Sequence, residues 1–234
     1  GPPLGLQPID SSMTPEHQCS AMEENVELLL DLEWRSNLLL GVELSKMKYS
    51  GAFTRSAVWS PEDKSRGWAK YIALRKFESK RDGKSLEERT ANALIMWSVL
   101  YACFADENQD RANRGQLPLP LPTSVSQLRP YASLMRRVTD WQPPALNQAS
   151  NETSFDMEPP FAANQSDVIA AWEAAWETIP PDKRIRKGEP VPPSKPVSEQ
   201  YFREREGLKQ LKAREDRDLD EAKQQSITVN QRPA

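Results

Sequence analysis

The run from Ala93 to Phe104 sets the strongest limit on what this chain can fold into, because only Ser98 within it is clearly polar. A helix that is apolar on nearly every side cannot lie on a surface and must be enclosed by other elements. Leu94, Ile95, Trp97, Val99, Leu100, Tyr101 and Phe104 are therefore expected at the heart of a core. Cys103 is expected as a buried thiol. Ser85 and Glu88 have the spacing of a capping box and place the helix start nearby. No segment alternates Val, Ile and Thr as a half-buried strand requires. The expected fold class is all-α: a compact multi-helix core with a helix-turn-helix-like element, plus a flexible linker and a charged C-terminal helix.

Two neighbours would enclose the central helix. Ser20 and Glu23 also have capping-box spacing, and Met22, Val26, Leu29, Leu30, Leu38 and Val42 follow helical spacing. One helix is predicted over 20–48, ended by Gly51. Its leucines need cover, from the same chain or across a homodimer. Ser60-Pro61-Glu62-Asp63 reads as a second start, with Ser as cap and Pro in the first turn. The helix predicted there, 61–80, has an apolar stripe of Ala69, Ile72, Ala73 and Phe77 and a basic remainder, and Asp82-Gly83 ends it. A basic face of this kind suits a phosphate backbone or plain solvation. Helices 61–80 and 86–104 could in principle be a helix-turn-helix. The second member lacks the polar side chains that read base edges, so the pair is expected to be an αα-hairpin of the core.

Composition limits how much of the 234 residues can pack. Hydrophobic residues make up 38%, against the usual ~45–50% of a globular domain. There are 20 prolines. The expected division is a disordered N-terminus at 1–19 and a helical core at 20–138. An acidic loop with a short tryptophan helix follows at 139–179, and a Pro-rich basic linker with a charged helix at 180–234. Trp172 and Trp176, four residues apart on that short helix, are expected to pack inward. Two cysteines and one histidine cannot build a Cys/His zinc site of the usual spacing. There is no glycine-rich phosphate loop, and no histidine stands where it could serve a nucleophile. No enzyme activity, cofactor or metal is therefore expected. No apolar run approaches the ~20 residues of a membrane span. Cysteine usage fits a reduced, cytoplasmic protein.

The functional signal lies in Leu117–Leu134, LPLPLPTSVSQLRPYASL. The wider span from Arg111 to Thr139 holds five arginines and no Asp or Glu. A proline-stiffened lead-in there hands over to a short helix capped by Thr123 or Ser124 and limited by Pro130. Hydroxyl, amide and guanidinium groups without opposing charge suit phosphate oxygens and base edges. The candidate contact residues are Ser124, Ser126, Gln127, Arg129, Arg136, Arg137, Arg111 and Arg114. The net charge of -3 does not decide against this, because nucleic-acid binding depends on one face. Lys183-Arg184-Ile185-Arg186-Lys187 is a second basic cluster, expected as a mobile arm or as plain linker.

The string Leu121-Pro122-Thr123-Ser124-x-Ser126-Gln127-x-Arg129-Pro130 resembles a segment of helix-turn-helix proteins of phages and plasmids, akin to the DNA-binding part of the ParB partition family. In those proteins the segment follows an apolar helix and precedes a leucine and a tryptophan-bearing helix. Here Ala91–Phe104, Leu134 and Trp172 stand in that order. The chain departs from the family in its long 105–122 connector and an apparent insertion at about 135–165. The resemblance implies binding of double-stranded DNA in replication, partition or transcription control, with Ser124, Ser126, Gln127 and Arg129 as contacts and a nucleoid or plasmid location. The charged tail suits a protein partner. The competing expectation is an adaptor that binds proteins through its helical core and tail.

Overall fold

The computed structural model describes residues 5–32, 36–63, 65–144 and 157–230. Helix α1 (Pro15–Asp31) begins earlier than Ser20. Thr14 caps it by accepting the His17 N–H at 3.3 Å, and Pro15 occupies the first turn, where a missing N–H costs nothing. The expected disorder over 1–19 is thus corrected for residues 5–19. Leu6 and Ile9 pack on the core, and Gln7 exchanges backbone hydrogen bonds with the Asn25 amide at 2.7 and 3.1 Å. The single helix predicted over 20–48 is two, α1 and α2 (Ser36–Tyr49). Leu29, Leu38 and Leu44 are buried within the one chain. Of the other leucines on that predicted face, Leu30 and Leu39 are half-buried and Leu32 is exposed at 36%.

The helix predicted over 61–80 is reduced to α3 (Trp68–Arg75). Ser60-Pro61-Glu62-Asp63 closes on itself instead of opening a helix. The Asp63 N–H donates to the Ser60 carbonyl at 3.0 Å, and the Asp63 carboxylate accepts the Ser60 N–H at 2.8 Å. Lys76, in the left-handed region at φ 48, ends α3. The chain then doubles back through Asp82-Gly83, with the Leu86 N–H on the Phe77 carbonyl at 2.8 Å.

Helix α4 (Glu88–Asn113) is the spine, with Ile95, Leu100, Tyr101 and Phe104 buried, but the expected enclosure is corrected for Ala93, which is exposed, and for Leu94, Trp97 and Val99, which are half-buried. Its 26 residues span about 39 Å. Ala91 and Ile95 join one buried cluster with α1, α2 and α3, whereas Leu100, Tyr101, Cys103 and Phe104 join a second. Gly41 brings α2 almost onto this spine, since a Cβ there would stand 2.3 Å from the Leu94 carbonyl oxygen.

The second cluster is built from later elements. Helix α5 (Val125–Leu128) runs into a 3-10 turn over 129–134. Strand β1 (Met135–Arg137) pairs antiparallel with β2 (Phe161–Ala163), Met135 opposite Ala163. Helix α6 (Gln165–Glu177) follows, then a hairpin of β3 (Ile185–Arg186) and β4 (Glu189–Pro190). The hairpin corrects the expectation of a mobile linker there. Helix α7 (Lys195–Asn230) buries Ser198 and packs Tyr201 and Phe202 on the second cluster. The fold is mainly α. Its strand pairs are two or three residues long, too short to carry a readable alternation.

Candidate nucleic-acid interface

Two tryptophans on α6 assemble the site. Trp172 is fully buried, edge-on to Phe104 at 4.7 Å between ring centroids and tilted against Tyr131 at 5.6 Å. Its indole N–H donates to the Pro120 carbonyl at 3.0 Å and so fixes the proline connector that leads into α5. One turn later the Trp176 N–H donates to the Val191 carbonyl at 3.0 Å, at the exit of the β3–β4 hairpin. The Arg184 guanidinium stacks over the Trp176 ring at 5.1 Å and donates to the Ile179 carbonyl at 2.7 Å. Arg184 therefore ties the hairpin to the end of α6. The outcome is a cleft of about 640 Å³ that Thr123, Arg186 and Lys187 share with the 118–122 connector. Residues some sixty positions apart in sequence meet there.

The hairpin tip presents its charge outward. Lys187 at φ 53 and Gly188 at φ 82 give the tight turn whose twist matches antiparallel strands. Arg186 and Lys187 are exposed, and neither has an ion-pair partner among the described residues. Sequence reading missed this feature. Its signal was Gly188 centred between the residues that pair, Arg186 and Glu189.

Helix α5 is anchored by Leu128 and Tyr131, both fully buried, and the Tyr131 hydroxyl meets the Ser198 hydroxyl of α7 at 3.0 Å. Ser126 is exposed, and its hydroxyl lies 2.6 Å from that of half-buried Ser124. Gln127 is half-buried. Its amide oxygen accepts the Thr123 N–H at 2.6 Å and the Thr123 hydroxyl at 3.1 Å, which leaves only its NH₂ to face outward chemistry. Arg129 is exposed with no carboxylate partner among the described residues. Arg136 is exposed but folds back, donating to the Ser133 and Met135 carbonyls at 2.5 and 3.0 Å. Arg137, also exposed, sits over the Phe161 ring at 5.6 Å, which leaves its donors available.

Arg111 and Arg114 drop out of the candidate set. Arg111 donates to Glu107 at 2.9 Å and to Glu173, bracing α4 against α6, and Arg114 reaches the same Glu107 at 3.1 Å. The Arg111 hydrogen bond holds the Glu107 carboxyl below the usual carboxylate range despite partial burial, with Gln165 adding to it. The acid-free stretch in sequence is not acid-free in space.

No three His, Cys, Asp or Glu side chains gather as a metal centre would need among the described residues. No helix of the described residues is long and apolar enough to cross a membrane. No protein-family model, curated protein or solved structure matches the chain.

Proposed function

We propose that the chain binds double-stranded DNA without catalysing a reaction, through α5, the 3-10 turn after it and the tip of the β3–β4 hairpin. The observation that carries this reading is the cleft in which Thr123 meets Arg186 and Lys187. The connector that leads into a short polar helix lines a cleft with a hairpin carrying Arg186, Lys187 and the opposing Glu189, so base-edge donors and phosphate cations stand on neighbouring segments. Ser126 and Gln127 on α5 and Arg129 in the turn after it supply the donors, while Arg186, Lys187 and Arg137 supply charge. The resemblance to plasmid and phage helix-turn-helix proteins points the same way, toward replication, partition or transcription control. The long 114–124 connector makes the element unlike a compact helix-turn-helix, and the hairpin supplies what a second long helix would.

Fluorescence anisotropy on a labelled duplex tests it. The double variant Arg186→Ala/Lys187→Ala should weaken binding and flatten the salt dependence by about 0.9 in log–log slope for each phosphate left unneutralised. Arg129→Ala should do likewise, whereas Arg114→Ala should not. Affinity indifferent to both the double variant and Arg129→Ala would remove the proposal. The adaptor reading has its own support in α7, whose side chains from Arg203 to Gln210 are exposed, Leu208 at 67%. A stable protein complex that purifies free of nucleic acid would favour it.

A further inference from the structure

A cavity of about 440 Å³ lies between α2, α3, α4 and the segment that leads into β2. Its most unusual member is Lys48, whose side chain is buried at 8% exposure. The Nζ donates to the Asn92 amide oxygen at 3.0 Å and stands 5.5 Å from the Tyr49 ring centroid and 5.8 Å from that of Trp68. Asn92 is itself fixed, since its oxygen also accepts the Trp68 indole N–H at 3.1 Å and its NH₂ donates to Glu88 at 3.2 Å. An ammonium has three donors. One is spent on a partner here, and no carboxylate reaches salt-bridge distance of it among the described residues.

We propose that Lys48 is a nucleophilic amine that captures small planar aldehydes or ketones in this cavity as imines. The rings of Tyr49 and Trp68 form flat apolar walls for a planar compound, and the volume falls within the usual range of a small-molecule pocket. The unprotonated amine adds its lone pair to the carbonyl carbon as the C=O π pair moves to oxygen. Nitrogen then passes a proton to that oxygen. Loss of water forms the C=N bond, so amine plus carbonyl gives imine plus water with no net oxidation. Burial favours the unprotonated amine and outweighs the opposing pull of Glu158 and Glu88, leaving Lys48 below the usual lysine range. Those carboxylates are the charged groups facing it, Glu88 from α4 and Glu158 from the segment before β2. Nucleophilic lysines are commonly made by such desolvation.

The test is reductive trapping on the whole chain with benzaldehyde as probe and cyanoborohydride as reductant, read by peptide mass spectrometry. Near neutral pH, Lys48 should carry several-fold more of the modification than exposed Lys84, because a larger fraction of it is unprotonated. Its labelling rate should also reach a plateau at lower pH than that of Lys84. Val99→Phe, which narrows the cavity from its α4 wall, should lower labelling at Lys48 and leave Lys84 unchanged. Equal or lesser labelling of Lys48 in the unaltered protein, or parallel pH profiles for the two lysines, would overturn the proposal whether or not the variant folds.

Discussion

Trp172 fills the second cluster with its ring and holds the Pro120 carbonyl with its N–H, so packing and site geometry depend on one side chain. Trp172→Phe keeps an aromatic ring but removes the hydrogen bond to the half-buried Pro120 carbonyl and leaves a void where the larger ring stood, together a loss of about 1–3 kcal/mol. For a chain of this size each kcal/mol moves the melting temperature by roughly 2–4 °C. Calorimetry should therefore show a drop of several degrees, and anisotropy a weaker DNA complex, because the α5 lead-in loses its tether. Glu107 gives a pH signature. Its folded carboxyl sits below its unfolded value, chiefly through Arg111, so its contribution is present above the unfolded value and is lost as pH falls through the folded one. Thermal melts should show stability declining on acidification through and below the ordinary carboxylate range. Glu107→Gln should flatten that decline, and an unchanged acid limb would show that the Arg111 pairing contributes nothing.

At the scale of elements, the α2–α4 crossing is the least forgiving contact. Gly41→Ala would place a methyl against the Leu94 carbonyl, which is backbone and cannot step aside. Overpacking of this kind costs about 1–3 kcal/mol, so a melting temperature unchanged in that variant would contradict the crossing. Which elements were legible follows from which signals are local. Helix α4 is readable as a central element because its apolar run needs cover, though that run leaves Ala93 exposed and Leu94, Trp97 and Val99 half-buried. The 61–80 helix was over-read because Ser-Pro-Glu-Asp suits a closed turn as well as a cap, and only the Asp63 side chain decides between them. Arg111 and Arg114 were misassigned because their acid partners stand outside the acid-free stretch, Glu107 one helical turn back and Glu173 on another helix. Gln127 is half-buried and its oxygen is taken up by Thr123, a bond the residue order does not reveal. The cleft itself was invisible, since it depends on two tryptophan hydrogen bonds to segments distant in sequence.

The whole molecule divides its labour along α4, with one cluster stabilising the N-terminal helices and the other organising the proposed interface. Among the described side chains, α7 enters this plan through its first turns, where Ser198 meets Tyr131 at 3.0 Å and Phe202 packs edge-on against Tyr131 at 5.0 Å between ring centroids. Beyond Phe202 the side chains are exposed from Arg203 to Gln210. Residues 204–234 contain seven basic and seven acidic residues, so removing them leaves the net charge unchanged. A chain ending at Arg203 should therefore melt with the full-length protein and bind duplex DNA with the same salt dependence. A chain ending at Pro193 lacks both partners of Tyr131 on α7 and should melt several degrees lower, with binding weakened through the displaced α5. If the cut at Arg203 alone abolishes binding while the fold survives, the polyanion is held by the later part of α7, and the cleft between the connector before α5 and the hairpin is not the interface.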